Sequence, residues 1–160
     1  SGGQNEMRDA IAGIVWALLE YPDALESLKT GGINHLQVFE EFTRWIAPIG
    51  MSPRRITQLY EYKDIRFDPN DRVFLMFGSG NRDESIFEKS NEFNPLRDTS
   101  KSITFGAGPH FCAGSWASKS LIVDVAMPML LEAFPSLKLT GEVTYTGWAF
   151  RGPISVPVEW

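Results

Sequence analysis

The sequence predicts a mainly α fold with small β-sheets. Apolar residues recur at helical spacing near both ends of the chain, and the β-rich runs between and after those helices are all short. With 160 residues, 43% of them hydrophobic, the chain can bury one core but is too short for two comfortable domains.

The first helix is read from Asn5 to Glu20, where Met7, Ile11, Ile14, Val15 and Leu18 share a face and Tyr21-Pro22 stops the run. Asp23 is expected to cap a short second helix through Leu28, ended by Thr30-Gly31-Gly32. A third helix spans about Asn34 to Ile46 and stops before Pro48. From Arg55 to Phe77 the pattern is a small, irregular sheet, clearest at Arg72–Phe77 and broken by Asp68-Pro69-Asn70-Asp71.

Gly78–Ile103 is polar and rich in Gly, Asn, Asp and Pro, yet it holds Phe87 and Phe93. A long loop pinned by aromatics is expected there. After Cys112 a helical pattern carries Ala113, Ala117, Leu121, Val125, Met129 and Leu130 to Phe134-Pro135, and Pro128 is expected to kink it. The tail, with Thr144-Tyr145-Thr146, Gly147-Trp148 and Ile154–Val158, reads as short terminal strands.

A formal charge of −5 with no basic cluster excludes a nucleic-acid binder, which must neutralise phosphates. No apolar run approaches the ~20 residues of a membrane span, and no basic-then-apolar leader is visible. One cysteine allows no internal disulfide, which fits a reducing cytoplasm. Ser1-Gly2-Gly3 runs straight into a helical pattern, as though the chain were cut inside an element; residues 1–160 are therefore expected to be one portion of a larger catalytic domain.

The lone thiol is either a buried small hydrophobe or a reactive or liganding group. Its setting, Phe105-Gly106-Ala107-Gly108-Pro109-His110-Phe111-Cys112-Ala113-Gly114, puts it between a glycine-rich loop and a long helix. Backbone N–H groups at a helix N-terminus stabilise an anion, so a thiolate there suits a soft metal. Glycines 106, 108 and 114 would let the backbone approach a flat cofactor, and Phe105 could lie against the thiolate side and exclude water. One Cys with His35 and His110 is a poor zinc set, and the C-x-x-C-H of covalent haem attachment is missing.

The Phe105-Gly106-x-Gly108-x-His110-x-Cys112-x-Gly114 pattern resembles the haem-binding loop of the cytochromes P-450. The resemblance implies the C-terminal part of that fold, with haem b (iron protoporphyrin IX) held through iron by Cys112. Phe105, Gly106, Gly114, His110 and Arg54 would complete the cofactor contacts, His110 and Arg54 at the propionates. Thiolate donation to the iron would, by that resemblance, favour O–O cleavage. Glu41-Phe42-Thr43-Arg44 resembles the family's E-x-x-R structural pair, with Arg97 as a possible third member. Pro53-Arg54-Arg55-Ile56-Thr57 matches a family strand; the downstream Thr57 assigns the propionate to Arg54, with Arg55 the rival. Gly78–Asp83 resembles another family stretch, with a mainly structural role.

Ser1–Arg8 resembles the family's distal helix, where an acid and a threonine usually stand. Asn5 replaces the acid and Glu6 the threonine, so both are candidate catalytic residues, with Glu6 a direct general acid–base. The other reading of Glu6 is a first-turn carboxylate that favours the helix dipole.

The family takes two electrons from an external NAD(P)H-dependent partner, a ferredoxin or reductase-type donor, and inserts one oxygen atom into substrate. Gly2–Asp9, Ile49-Gly50-Met51 and Gly147–Pro153 resemble bacterial enzymes that O-demethylate guaiacol-type methoxyaromatics, where hydroxylation of the methyl gives a hemiacetal that collapses to a phenol and formaldehyde. Gly2, Gly3, Ile49, Met51 and Trp148 are then the expected substrate pocket. Two other readings stay open: a peroxide-using haem-thiolate peroxygenase with Glu6 as acid–base, and a non-catalytic haem-binding sensor or fragment.

Overall fold

The periodic run at the start of the chain forms helix α1, Asn5–Glu20, in a computed structural model that describes residues 3–160. Its buried face carries Ala10, Gly13, Ile14, Ala17 and Leu18, and it packs on helix α3, His35–Ile46, and on the C-terminal strands. The crossing is close: a Cβ on Gly13 would meet Phe42 Cζ at 2.2 Å, so only glycine lets that ring in. Phe42 is wholly buried there, worth about 1.5–3 kcal/mol of apolar transfer.

Helix α2, Pro22–Lys29, begins two residues earlier than a cap at Asp23 would set it. Tyr21, not Asp23, is its N-cap; Pro22 takes the first helical position, where its missing N–H costs nothing, and Asp23 lies within the first turn. Helix α3 opens on a reciprocal cap, with Gln37 N donating to Asn34 Oδ1 and Asn34 N donating to Gln37 Oε1, each at 2.9 Å. It ends on Ala47 in the left-handed region at φ 50°.

Strand β1 (Ser52–Arg55) pairs antiparallel with β4 (Arg72–Leu75), Arg54 opposite Val73. Between them β2 (Tyr60–Tyr62) and β3 (Ile65–Phe67) form a hairpin. The expected strand through Phe77 stops at Leu75, because Phe77 turns inward to start the short helix α4, Phe77–Gly80. The following loop is anchored as expected, with Phe87 and Phe93 buried. Phe93 packs against Trp45 and Tyr21, and the Arg44 guanidinium lies over the Phe87 ring.

The last long helical run is α5 (Ser115–Ser120), a π-helical stretch (Leu121–Ala126) and α6 (Met127–Ala133). Helical structure continues through Pro128, with a change of helix type just before it. The wider π-helical turns precede a residue that can neither donate to the carbonyl four back nor sit close to it. Strands β5 (Lys138–Leu139) and β8 (Val158–Glu159) pair, as do β6 (Thr144–Thr146) and β7 (Gly152–Ser155). Gly147-Trp148 belongs to the turn between β6 and β7, not to a strand. No helix among the described residues is long and apolar enough to cross a membrane.

Candidate functional site

A mostly apolar cavity of about 470 Å³ lies between α1 and the loop that ends at Cys112, within the size range of small-molecule and cofactor sites. Gly3, Glu6, Met7 and Ala10 line one side of it. Glu6, Met7 and Ala10 have the spacing of one helical face, and Gly3 precedes the helix. The opposite side is built by Phe105, Gly106, Cys112, Gly114, Ser118 and Ile122. Residues 114, 118 and 122 follow one another at i+4, so α5 and the π-helical stretch after it continue the wall the loop begins.

Cys112 is a free, exposed thiol on that wall. Its N–H donates to Phe105 O at 2.8 Å, closing the loop at its neck. Phe105 stacks on Phe39 of α3, with centroids 6.2 Å apart, and so ties the loop to the core. The helix begins at Ser115, three residues later than Cys112, with Ser115 N reaching Cys112 O at 3.3 Å. The thiol thus precedes the helix rather than sitting in its first turn.

The three loop glycines serve different ends. Gly106 and Gly108 adopt φ values of +72° and +64°, which side chains rarely tolerate. Gly114 has an ordinary backbone, but a Cβ there would lie 3.9 Å from Cys112 Sγ, so its lack of a side chain keeps the space beside sulfur open. Gly108 does not line the cavity; its φ alone accounts for it.

At the edge, strand parity separates the two arginines. Ser52 and Arg54 line the cavity, whereas Arg55 is not among the lining residues. Arg54 Nη1 donates to Ser52 Oγ (2.7 Å) and Pro53 O (2.8 Å). No carboxylate pairs with Arg54 among the described residues, so an unneutralised guanidinium faces this cavity. His110, in a 3₁₀ turn over Gly108–His110, lines the same cavity. His35 does not; partial burial lowers its pKa.

Beneath the loop, Glu41 and Arg44 are both fully buried. Arg44 grips the carboxylate with two bonds, Nε–Oε2 at 2.7 Å and Nη2–Oε1 at 2.8 Å. Arg97 Nε adds a third contact at 3.2 Å and the Asn94 N–H a fourth at 2.9 Å. None of these four residues lines the cavity, so their part is to hold the surrounding loop.

Glu6 faces the cavity, and its Oε2 also accepts the Gly3 N–H at 2.9 Å. Asn5 does not join it: one residue along the helix it turns to solvent. Of the expected substrate contacts, Gly3 and Ile49 line the cavity, and Gly2 lies outside the described residues. Met51 does not line it, since it takes the parity opposite to Ser52 and Arg54. Trp148 is 72% exposed on an outer turn. Its segment acts through backbone: Gly50 N donates to Ala149 O (3.0 Å) and Arg151 N to Pro48 O (2.8 Å), strapping Ile49 in place. A Cβ on Gly50 would strike Trp148 O at 2.2 Å.

The residues present fit a flat, anionic, metal-carrying group. The thiol can give a soft metal one ligand, and among the described residues no cluster of three or more His, Cys, Asp or Glu could supply the others. Such a metal must therefore arrive with the rest of its coordination. Apolar walls and the unpaired Arg54 suit a planar body with acidic edges.

The sequence reading missed Thr43, Ser52, Phe77, Thr104 and Ser118, all in the lining. Ser52 was recoverable from strand alternation with Arg54, and Ser118 from helical spacing after Gly114. Thr43, Phe77 and Thr104 depend on how distant segments meet.

Residues 36–140 match the family model described as Cytochrome P450. Cytochrome P450 NovI of Streptomyces niveus is 34% identical over 78% of this chain and 30% of its own length. The steroid C26-monooxygenase of Rhodococcus jostii is 27% identical over 88% of this chain and 29% of its own. The solved structure of cytochrome P450 CREJ in complex with (4-ethylphenyl) dihydrogen phosphate superposes with a TM-score of 0.90 at 27% identity, covering 99% of this chain and 40% of that one. The chain thus spans well under half the length of these relatives.

Proposed function

The chain belongs to the cytochrome P450 family, and from that premise we propose that its cavity holds haem b for a monooxygenase that oxidises a small organic substrate. The observation that carries this is the placement of the exposed Cys112 thiol across one cavity from Glu6, with the unpaired Arg54 at its edge.

When bound, thiolate-ligated haem supplies the activation of dioxygen by which one oxygen atom enters substrate. Cys112 would be the iron ligand, as the thiolate. Arg54 and His110 would take the propionates, and Gly106 and Gly114 would let the backbone lie close. Glu6, whose carboxylate already accepts one N–H, would hold and pass a proton at Oε1 or Oε2 on the far side. Phe105 and Ile122 would keep water from the sulfur side.

The substrate we favour is a small aromatic ether of the methoxyphenol type, losing its methyl as formaldehyde. Gly3 and Ala10 leave room above the cavity, while Ile49, Met7 and Phe77 give apolar walls. The named ligands of relatives range from a steroid to an aryl phosphate, so this rests on the lining and on the resemblance of Gly2–Asp9, Ile49–Met51 and Gly147–Pro153. Electrons would come from an external NAD(P)H-dependent ferredoxin or reductase.

The reduced carbon-monoxide spectrum of the haem-loaded protein is the test. A strongly red-shifted Soret band that disappears in Cys112→Ser is expected, and an unshifted band in the parent protein refutes thiolate ligation. Formaldehyde released from guaiacol in step with reductant consumption tests the substrate. A second reading, peroxide as the oxidant, is favoured by Glu6 occupying the cavity where the family usually has threonine; peroxide-driven turnover that exceeds reductase-driven turnover would select it.

A further inference from the structure

Asn81 is wholly buried at the end of α4, and its two ends touch different parts of the molecule. Its backbone carbonyl accepts from Arg44 Nη1 at 2.8 Å, which joins it to the Glu41–Arg44 pair. Its side chain reaches the segment that leads into the Cys112 loop. Oδ1 accepts from Ile103 N at 2.8 Å and from Ser102 Oγ at 3.3 Å, and Nδ2 donates to Thr104 Oγ1 at 2.8 Å. The amide orientation is fixed, because the Ile103 N–H can only donate. Thr104 Oγ1 in turn donates to Thr43 O on α3 at 2.8 Å.

The next residue is Phe105, whose carbonyl accepts the Cys112 N–H. Holding residues 103 and 104 therefore holds one side of the neck, and the Phe105–Cys112 bond carries that constraint to the other. We propose that Asn81 is a positioning residue for Cys112: its amide moors the ligand loop to the buried Glu41–Arg44 pair and so sets where the sulfur stands in the cavity. This rests on the haem-thiolate reading.

The amide is needed for more than filling space. A carboxylate of the same shape would keep the acceptor toward Ile103 but lose the donor toward Thr104, whose one hydroxyl proton is already committed to Thr43 O. Two oxygens would then face each other with no proton between them. An effect on sulfur placement is separable from an effect on global stability, because the moored segment is a short stretch of loop, free to loosen while the helices stay folded.

The experiment compares Asn81→Asp and Thr104→Val with the parent as haem-loaded protein. Three quantities are followed: the rate at which the red-shifted carbon-monoxide band converts to the unshifted form, the haem reduction potential, and thermal melting. Both substitutions are expected to speed conversion about tenfold, the scale of one buried hydrogen bond, and to shift the potential, at temperatures where far-UV circular dichroism is unchanged. Lowered melting with an unaltered conversion rate and potential would overturn the proposal and leave Asn81 a packing residue. Should Asn81→Asp fail to fold, Thr104→Val alone decides, since it exchanges the hydroxyl for a methyl of similar size. Cys112→Ser keeps the two readings apart: if it retains the red-shifted band, the thiolate assignment itself has failed; if it loses the band while both other variants behave as parent, only the Asn81 role has failed.

Discussion

Ser52 Oγ sits 2.7 Å from Arg54 Nη1, and both residues face the cavity from one strand. The hydroxyl holds the guanidinium in a fixed position while its remaining nitrogens have no carboxylate to neutralise them among the described residues. A propionate there would gain a charge-assisted bond worth about 1.5–3 kcal/mol. Arg54→Ala is therefore expected to raise the haem dissociation constant by roughly ten- to a hundredfold, whereas Arg55→Ala, on the other face, leaves it within about twofold. Haem transfer to an apo-globin, followed in the Soret region, measures both. Equal effects from the two substitutions would contradict the assignment.

The Glu41–Arg44 pair makes a different prediction, about stability. Both charges are fully buried, and Glu41 Oε1 is shared among Arg44, Arg97 and the Asn94 N–H. Removing Arg44 leaves Glu41 only the longer Arg97 contact and the Asn94 N–H, and removing Glu41 leaves the buried Arg44 charge on backbone carbonyls alone, so Arg44→Ala or Glu41→Ala should each cost about 3–5 kcal/mol in urea unfolding. Arg97→Ala should cost less, because Arg97 is partly exposed and Glu41 keeps its two bonds from Arg44. If the double substitution at 41 and 44 costs less than either single one, stranded charge is the cause.

The places where sequence was enough share a physical trait. α1 and the Glu41/Arg44 pair are set by residues three and four apart, and the Arg54 edge by residues two apart; such spacing fixes which side chains share a face before any tertiary contact forms. The glycine-rich turn before Cys112 was legible because Gly106 and Gly108 take positive φ, which is a local requirement. The strand end at Leu75 and the cap at Tyr21 went the other way. At Leu75 burial of Phe77 won over β propensity, and at Tyr21 Pro22 at the first helical position won over the Asp cap. Asn81 was invisible as a connector, since its partners are 21 to 37 residues away in sequence. Met51 and Trp148 show that belonging to a motif does not decide which way a side chain points.

Glu6 has two roles to separate, because one carboxylate both caps the Gly3 N–H and faces the cavity. Glu6→Gln keeps an acceptor for Gly3 but cannot lose a proton. If Glu6 moves protons in turnover, that substitution should lower peroxide-driven kcat by about 10²–10⁴ while melting stays within a degree or so of the parent. If its role is the helix end alone, Glu6→Gln retains turnover and Glu6→Ala costs about 0.5–1 kcal/mol of stability through the lost cap. Stopped-flow turnover and calorimetry on the same two variants give the answer.

Tyr145 carries a buried hydroxyl with no hydrogen-bond partner among the described residues. Burial pushes its pKa up to about 12, with the neighbouring charges of Arg151 and Arg82 pulling the other way. An unfolded tyrosine titrates near 10. Between those two values the unfolded chain ionises while the folded one does not. The folded state thus keeps its full advantage below about pH 10 and loses it as the pH climbs toward 12. Tyr145→Phe is then expected to be neutral or slightly stabilising at pH 7, since it removes an unpaired polar atom and keeps the ring against Trp16. Its alkaline unfolding midpoint should lie above that of the parent protein. A loss of more than about 1 kcal/mol at pH 7 would mean that the hydroxyl holds a partner after all, and Arg151 is the side chain positioned to be it.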